Sequence, residues 1–419
     1  MPHSCHIPNL VGYSIDGGRL RFTGILGSGS NGVIFLAEDI TTPAPHVEYA
    51  VKCVIRAEKG TRRYGLQKQE VVYHQRLSAH PSIVTLHNVI EEKHYTFLIM
   101  DYCRGGDFFS FLSRRSTYRG DDECVRYMFL QVLDALEACH QAGVYHRDIK
   151  PENFLLNEDC TRLYLADFGL ATENLLSATY GAGSSLYMSP ECIGSEFIRR
   201  AYNTRSNDIW ALGVILTSMI SGHNPWSNAC ASDACYRVYL RNNNFLREML
   251  PISESANTLL QRIFRRESTR MITIAQIRTA VGNMDTFFMH PEEIARGNDY
   301  LRSAAKSYYC GSEHEAYFLG HSSVVHDGAG LGGEDEASEG TDEDTVESLS
   351  STLSVGPVTP ELCAQQVDIS VADIELASYL SRPLYPPRAA ISAPAPKKPR
   401  QLSGSAGFLR RFMGRFNAE

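Results

Sequence analysis

Two short stretches hold the densest chemistry in the chain, "VYHRDIKPENFLL" at 144–156 and "LYLADFGLA" at 163–171. The carboxylate of Asp148 can accept the proton of an incoming hydroxyl, and Lys150, two residues on, can neutralise charge on a terminal phosphate. Asn153 and Asp167 are hard oxygen donors of the kind Mg²⁺ prefers. Together the four suit phosphoryl transfer, in which the migrating group must be positioned and its spreading charge neutralised. Each residue alone is also a common turn former, so the joint spacing carries the argument.

A third stretch, "LGSGSNGV", sets Gly27, Gly29 and Gly32 between Leu26 and Val33. The G-x-G-x-x-G pattern is shared with dinucleotide sites, where a helix begins inside the motif. Here strand-like runs flank it on both sides, which favours a β-turn-β loop closing over phosphates. Nineteen residues beyond Val33 comes Lys52, in "EYAVKCVIR". Strand alternation places Ala50 and Lys52 on one face and Tyr49, Val51 and Cys53 on the other. A lysine in such a strand either reaches out to an edge or finds an anion, since an isolated buried ammonium is very costly. The helical run "GLQKQEVVYHQRL" offers the anion: Leu66, Glu70, Tyr73 and Leu77 fall four, three and four apart, on one face. An inward Glu70 would satisfy Lys52, and the pair can position the α- and β-phosphates of a nucleotide.

These residues need a scaffold, and the sequence describes one. "LRFTGILG", "GVIFLAED", "YAVKCVIR" and "YTFLIMDY" read as strands, while helical periodicity dominates from "FFSFLSRR" onward, as in "ECVRYMFLQVLDALEACHQAG" with its stop at Gly143. The fold class is therefore α+β, a small β-rich lobe followed by a larger helical one. With 419 residues and 43% apolar content, a sizeable core is available. The formal net charge of −8 argues against nucleic acid as the partner of the whole chain. The 11 cysteines are odd in number and lack a C-x-x-C pair, which points to reduced thiols in a cytosolic or nuclear protein. Cys230 and Cys235, with no neighbouring histidine, make a poor zinc site. No secretory signal is visible in "MPHSCHIPNLVGYS", and "IWALGVILTSMI" at 209–220 falls short of the roughly 20 residues a bilayer needs. It reads as a buried helix. No repeat of 20–50 residues is present, which excludes a solenoid.

Residues 27–33, 50–52, 70, 146–153, 167–169 and 189–191, in this order and spacing, resemble the signature set of the eukaryotic protein kinases over about 20–285. The resemblance implies a bilobal kinase fold that binds ATP and Mg²⁺ between its lobes. On it, Asp148 is the catalytic base, and Lys52 paired to Glu70 holds phosphates beneath the loop of Gly27, Gly29 and Gly32. Asn153 and Asp167 are the metal ligands. Lys150, two residues after the base, resembles the Ser/Thr kinases rather than the tyrosine kinases. In "FLIMDYCRGGD" Met100 matches the gatekeeper, and the main chain of Asp101 and Cys103 would bond adenine. Leu26, Val33, Ala50 and Leu155 would enclose the base, with Asp107 near the ribose. The stretch from Asp167 to Glu191 matches an activation segment, the platform for protein substrates carrying Ser or Thr acceptors. Ser184 would contact Asp148 and Lys150; Ser177, Thr179 and Tyr180 are candidate phosphorylation sites for which Arg147 is the nearby cation. Activity with or without such a phosphate is compatible with the sequence. "GAGSSLYMSPEC" also resembles a fungal subgroup linked to meiosis and nutrient response, which implies intracellular signalling in the cytoplasm, the nucleus or both.

Three positions depart from the family pattern. Ser189-Pro190-Glu191 replaces Ala-Pro-Glu, with Arg270 the expected partner of Glu191; His74 stands one turn after Glu70 where an apolar spine residue is usual; Asn31 replaces a common aromatic at the loop tip. Asp208 is expected to cap backbone amides of the catalytic loop, a structural role. The sequence divides into an extension at 1–17, a catalytic domain at 18–290 and a tail at 291–419. The tail is expected to be mostly disordered from about 303, because its acidic run at 334–347 and Pro-rich basic segment cannot bury enough apolar area. "PKKPR" at 396–400 could serve nuclear import, "GFLRRFMGRF" could touch an anionic membrane or a partner groove, and the tail as a whole could take regulatory partners. Two competing readings remain: a kinase-like scaffold that no longer catalyses, opposed by the presence of Lys52, Glu70, Asp148, Asn153 and Asp167 together, and a small-molecule phosphotransferase, opposed by the long segment ending in "SPE".

Overall fold

The computed structural model describes residues 7–29, 32–113, 119–194, 201–266 and 271–309. A six-stranded antiparallel sheet comes first, made of β1 (Ser14–Ile15), β2 (Leu20–Gly29), β3 (Gly32–Asp39), β4 (Val47–Ile55), β5 (Leu86–Glu91) and β6 (Tyr95–Asp101) in the order β1-β2-β3-β4-β6-β5. Helix α1 (Arg62–Leu77) crosses between β4 and β5, capped by the Thr61 hydroxyl, which accepts from the Tyr64 amide. Alternation along β4 works as the sequence implies. Val51 and Cys53 join Leu20, Phe22, Phe35, Phe97 and Ile99 in one apolar cluster, while Ala50 and Lys52 lie opposite Met100 and Leu98 on the face toward the second lobe. The β2–β3 hairpin closes with Gly29 opposite Gly32. Gly32 has φ +136°, and a Cβ there would stand 2.3 Å from the Cys53 carbonyl oxygen, so only glycine lets the two strands approach.

The second lobe begins with β7 (Gly106–Asp107) and α2 (Phe108–Ser113), followed by α3 (Asp122–Gln141). Asp121 caps α3 by accepting from the Cys124 amide, Asp122 and Glu123 occupy its first turn, and Gly143 at φ +72° follows its end. Strands β8 (Phe154–Leu156) and β9 (Leu163–Leu165) complete a three-stranded sheet in the order β7-β8-β9. A two-stranded ribbon pairs β10 (Leu176–Ser177) with β11 (Tyr202–Asn203), and α4 (Pro190–Ile193) lies between them in the chain. Helix α5 (Thr204–Ser221) carries "IWALGVILTSMI" and is buried on every side from Ile209 to Ser221. Around it gather α6 (Ala234–Tyr239), α7 (Phe245–Met249), α8 (Glu254–Ile263), α9 (Ile274–Gly282), α10 (Pro291–Arg296) and α11 (Asp299–Tyr309). Among the described residues no helix is long and apolar enough to cross a membrane.

The folded body begins earlier and ends later than the sequence suggested. Ile7 and Ile15 are buried in the first lobe's cluster and Ser14–Ile15 pair with β2, so residues 7–17 pack with the first lobe. Helices α10 and α11 lie beyond 290, and α11 buries Leu301, Ala304, Ala305, Tyr308 and Tyr309 against the large core. Tyr308 fixes this contact: its hydroxyl donates to the Met219 carbonyl at 2.8 Å, and the Arg119 guanidinium stacks on its ring, 4.9 Å from the centroid. The expectations for 310–419 lie outside the described residues. Leu66 also departs from the expected stripe, being 39% exposed. In urea unfolding of the full chain, Tyr308→Ala should cost about 3–5 kcal/mol through the cavity it leaves. Tyr308→Phe should cost only about 1 kcal/mol, the net worth of the lost hydrogen bond.

Candidate active site

The buried ammonium of Lys52 finds its anions. Its Nζ lies 2.5 Å from Glu70 Oε1 on α1 and 2.8 Å from Asp167 Oδ1 in the loop after β9. Burial alone would lower this ammonium's pKa, but the two carboxylates outweigh it and hold Lys52 above the ordinary lysine value. Burial acts on Asp167 in the opposite sense, and the attraction of Lys52 still leaves its carboxyl below the usual range. One lysine thus ties the sheet, the helix and the second lobe together.

The loop at 146–150, which carries Asp148, is fixed from beneath by Asp208 on α5. Its carboxylate is fully buried and accepts from the amides of His146 at 2.9 Å and Arg147 at 2.7 Å, with His140 Nε2 at 2.9 Å. This is the capping role the sequence implied. Arg147 and Asp167 both hold left-handed conformations, at φ +65° and +63°, and such strain persists only where surrounding bonds over-determine it. On the presented side, Lys150 Nζ donates to Asp148 Oδ2 at 2.7 Å and to Ser184 Oγ at 2.9 Å, while the Ser184 amide donates to Asp148 Oδ1 at 2.9 Å. Asn153 Nδ2 donates to the Asp148 carbonyl at 2.8 Å. Asp148, Lys150, Ser184 and Asn153 therefore form one connected group.

Comparison with known sequences meets this geometry: the protein kinase domain family matches residues 20–281. The chain belongs to the protein kinase family. Among its relatives is the Schizosaccharomyces pombe "Negative regulator of sexual conjugation and meiosis", 39% identical over 295 residues, covering 66% of this chain and 62% of that protein. The Saccharomyces cerevisiae serine/threonine-protein kinase SKS1 is 29% identical over 334 residues, 64% of this chain and 66% of its own. The S. pombe serine/threonine-protein kinase ksp1 is 29% identical over 293 residues, with 66% and 61% covered. The chain spans just under two thirds of the length of these relatives.

In this kinase domain the remaining predicted residues lie on β2, β3 and β4, at the end of β6 and on β7 and β8, with Cys103 in the segment that joins the lobes. Leu26, Gly27 and Gly29 lie on β2, Leu26 exposed, and Gly32 and Val33 face them from β3. Ala50 is buried on β4 beside Met100, and Leu155 packs with Met100, Cys103 and Ala166. Asp101 ends β6, its amide donating to the Thr85 carbonyl at 3.1 Å, and Cys103 follows at the crossing to the second lobe. Asp107, expected near the ribose, uses both carboxylate oxygens on Ser110, at 2.7 Å to its amide and 2.9 Å to its hydroxyl, and so caps α2. Asn31 and Arg270 lie outside the described residues. Arg266 is the cation that acts on Glu191, whose carboxyl is nevertheless pushed up by burial.

The side chains also suit Mg²⁺. Asn153 spends its NH₂ on the Asp148 carbonyl and keeps its oxygen, and Asp167 engages Lys52 and the Gly169 amide through Oδ1 alone. Among the described residues no group of three or more carboxylate, histidine or cysteine side chains forms a cage. A cation held by Asn153 and Asp167 would share its remaining positions with water and nucleotide phosphates, as Mg²⁺ commonly does.

Within the activation segment, Ser177 is buried and its Oγ accepts from Arg147 at 3.4 Å and from the Thr179 amide at 3.1 Å, while Thr179 is exposed. Gly183, which the sequence reading passed over, has φ +120°, and a Cβ there would stand 2.4 Å from the Arg147 carbonyl oxygen. Its place directly before Ser184 was the available signal. His74 is buried, with Nε2 2.7 Å from the Val84 carbonyl and its ring 5.0 Å from that of Phe168. Since a carbonyl can only accept, Nε2 carries the proton and donates. Burial lowers the His74 pKa to about 4, with Lys52 and His146 acting in the same sense against the Val84 bond and Asp167. An imidazole neutral when folded and ordinary when unfolded costs stability in acid, because below about pH 6.5 only the unfolded chain takes up its proton. His74 should therefore remove about 3 kcal/mol of stability between pH 6.5 and pH 4. Urea titrations across that range should show this slope in the wild type and its loss in His74→Leu.

Proposed function

We propose that this chain is a Ser/Thr protein kinase that transfers the γ-phosphoryl group of ATP to serine and threonine hydroxyls of proteins. The observation that carries the reading is the joint hold of Lys150 Nζ on Asp148 Oδ2 and Ser184 Oγ. It brings one carboxylate and one ammonium together, the pair that an acceptor hydroxyl and a terminal phosphate would require. Asp148 orients that hydroxyl and takes its proton; Lys150 offsets the charge that develops on the transferred group; Lys52, steadied by Glu70, holds the other phosphates. Asn153 and Asp167 would hold Mg²⁺, which supplies further charge neutralisation when bound. The acceptor is activated in place, so no covalent enzyme intermediate is needed. The names of the yeast relatives support the Ser/Thr class, as does Lys150 two residues after Asp148. Similarity to the S. pombe negative regulator of sexual conjugation and meiosis supports a place in intracellular signalling that controls conjugation or meiosis. Eight free cysteines among the described residues support a reducing compartment, the cytoplasm or nucleus. The tail would recruit regulatory partners through its acidic and basic segments.

Transfer of ³²P from Mg-ATP to a Ser/Thr peptide library tests the reading. Asp148→Asn keeps the shape and removes the proton acceptor, so kcat should fall about 10²–10⁴-fold while ATP binding persists. Equal background incorporation by the two proteins, with ATP bound to both, would sink the proposal in favour of a non-catalytic scaffold.

A further inference from the structure

Helix α1 carries the carboxylate on which Lys52 depends, yet its apolar hold on the molecule is thin. Of its 16 residues, only Glu70, Tyr73, His74 and Leu77 are buried. Polar bonds from a single face do the rest. Gln67 Nε2 donates to the Ile55 carbonyl at 2.8 Å, and Gln67 Oε1 accepts from the Ala57 amide at 3.0 Å, which clamps the helix to the end of β4. Glu70 meets Lys52 three residues on. Four residues beyond, His74 donates to Val84 and covers Phe168, the neighbour of Asp167. Positions 67, 70 and 74 share one helical face, so the three bonds act in a line on the same element. At its last turn, Arg76 pairs with Glu173 of the activation segment at 2.6 Å. The Arg147 guanidinium already donates to the Leu170 carbonyl at 2.6 Å and to Ser177.

We propose that Gln67 and His74 are positioning residues that hold α1, and through Glu70 the Lys52 ammonium, in the transferring arrangement before any phosphate is added to the activation segment. The bonds come from side chains and main chain that are always present, so the helix needs no partner protein to be drawn inward. A helix held by polar bonds moves when one of them is lost, because the partner left behind prefers water. The inference rests on the kinase reading above, and its test separates the two.

The experiment uses the full chain, co-expressed with a phosphatase and shown by mass spectrometry to be unphosphorylated, as wild type, His74→Leu, His74→Gln and Gln67→Met. Glutamine places a donor where Nε2 stood; leucine and methionine keep bulk without the bonds. The unphosphorylated wild type should transfer phosphate within about threefold of its phosphorylated form, since the helix is already in place. His74→Leu and Gln67→Met should each lower kcat/KM for ATP about tenfold and leave KM for the peptide unchanged, while His74→Gln stays within about threefold of wild type. Amide hydrogen exchange over 62–77 without nucleotide should quicken by a similar factor in the leucine and methionine variants only. Two results would overturn the proposal: leucine and methionine variants matching wild type in both readouts, or a wild type silent until phosphorylated. If no form transfers phosphate but exchange still quickens in those variants, the positioning role stands and the kinase reading fails.

Discussion

Everything in this molecule turns on one buried ammonium. Lys52 sits in the middle of an apolar strand, where an unpaired charge is prohibitively costly, and two carboxylates from different elements make it tolerable. Glu70 can reach it only if α1 lies inward, and Asp167 only if the loop after β9 turns through a left-handed residue. The pairing therefore fixes sheet, helix and second lobe against one another. It also leaves a cation where nucleotide phosphates would need one, so the interaction that closes the fold is the one that prepares the chemistry.

The second lobe solves a related problem with a buried anion. Asp208 is fully enclosed and is satisfied by two backbone amides and a histidine, which determines the path of the catalytic loop. Arg147 is held in its strained conformation by those bonds and by its own donation to Leu170. Asp148, one residue on, is then presented outward to Lys150, Ser184 and Asn153. Rigidity beneath and polar convergence above are what proton acceptance at a set place requires.

Much of the site was legible because it depends on short-range pattern. Two-residue alternation in β4 put Lys52 on the inner face, helical spacing put Glu70 inward, and the short run from Asp148 to Asn153 marked residues that the structure joins in one hydrogen-bonded group. What the sequence hid was long-range. Leu66 shares the stripe of Glu70, yet it is exposed while Glu70 is buried. The residues of α11 look ordinary until Tyr308 meets Met219 and Arg119, both far away in the chain. The sequence also did not show that Asp107 caps α2 through Ser110. Strand β5, "LHNVIE", has too little alternation to be recognised alone and takes its conformation from pairing with β6.

A double-mutant cycle on Lys52 and Glu70 tests the dependence of transfer on this pair most directly. With kcat/KM for ATP measured in Lys52→Met, Glu70→Gln and the double variant, residues acting as a unit should show strong coupling. The double variant should then be no slower than the slower single variant, within about twofold. Losses that multiply would show that the two side chains act independently, and would contradict the claim that one ion pair both closes the fold and readies it for phosphoryl transfer.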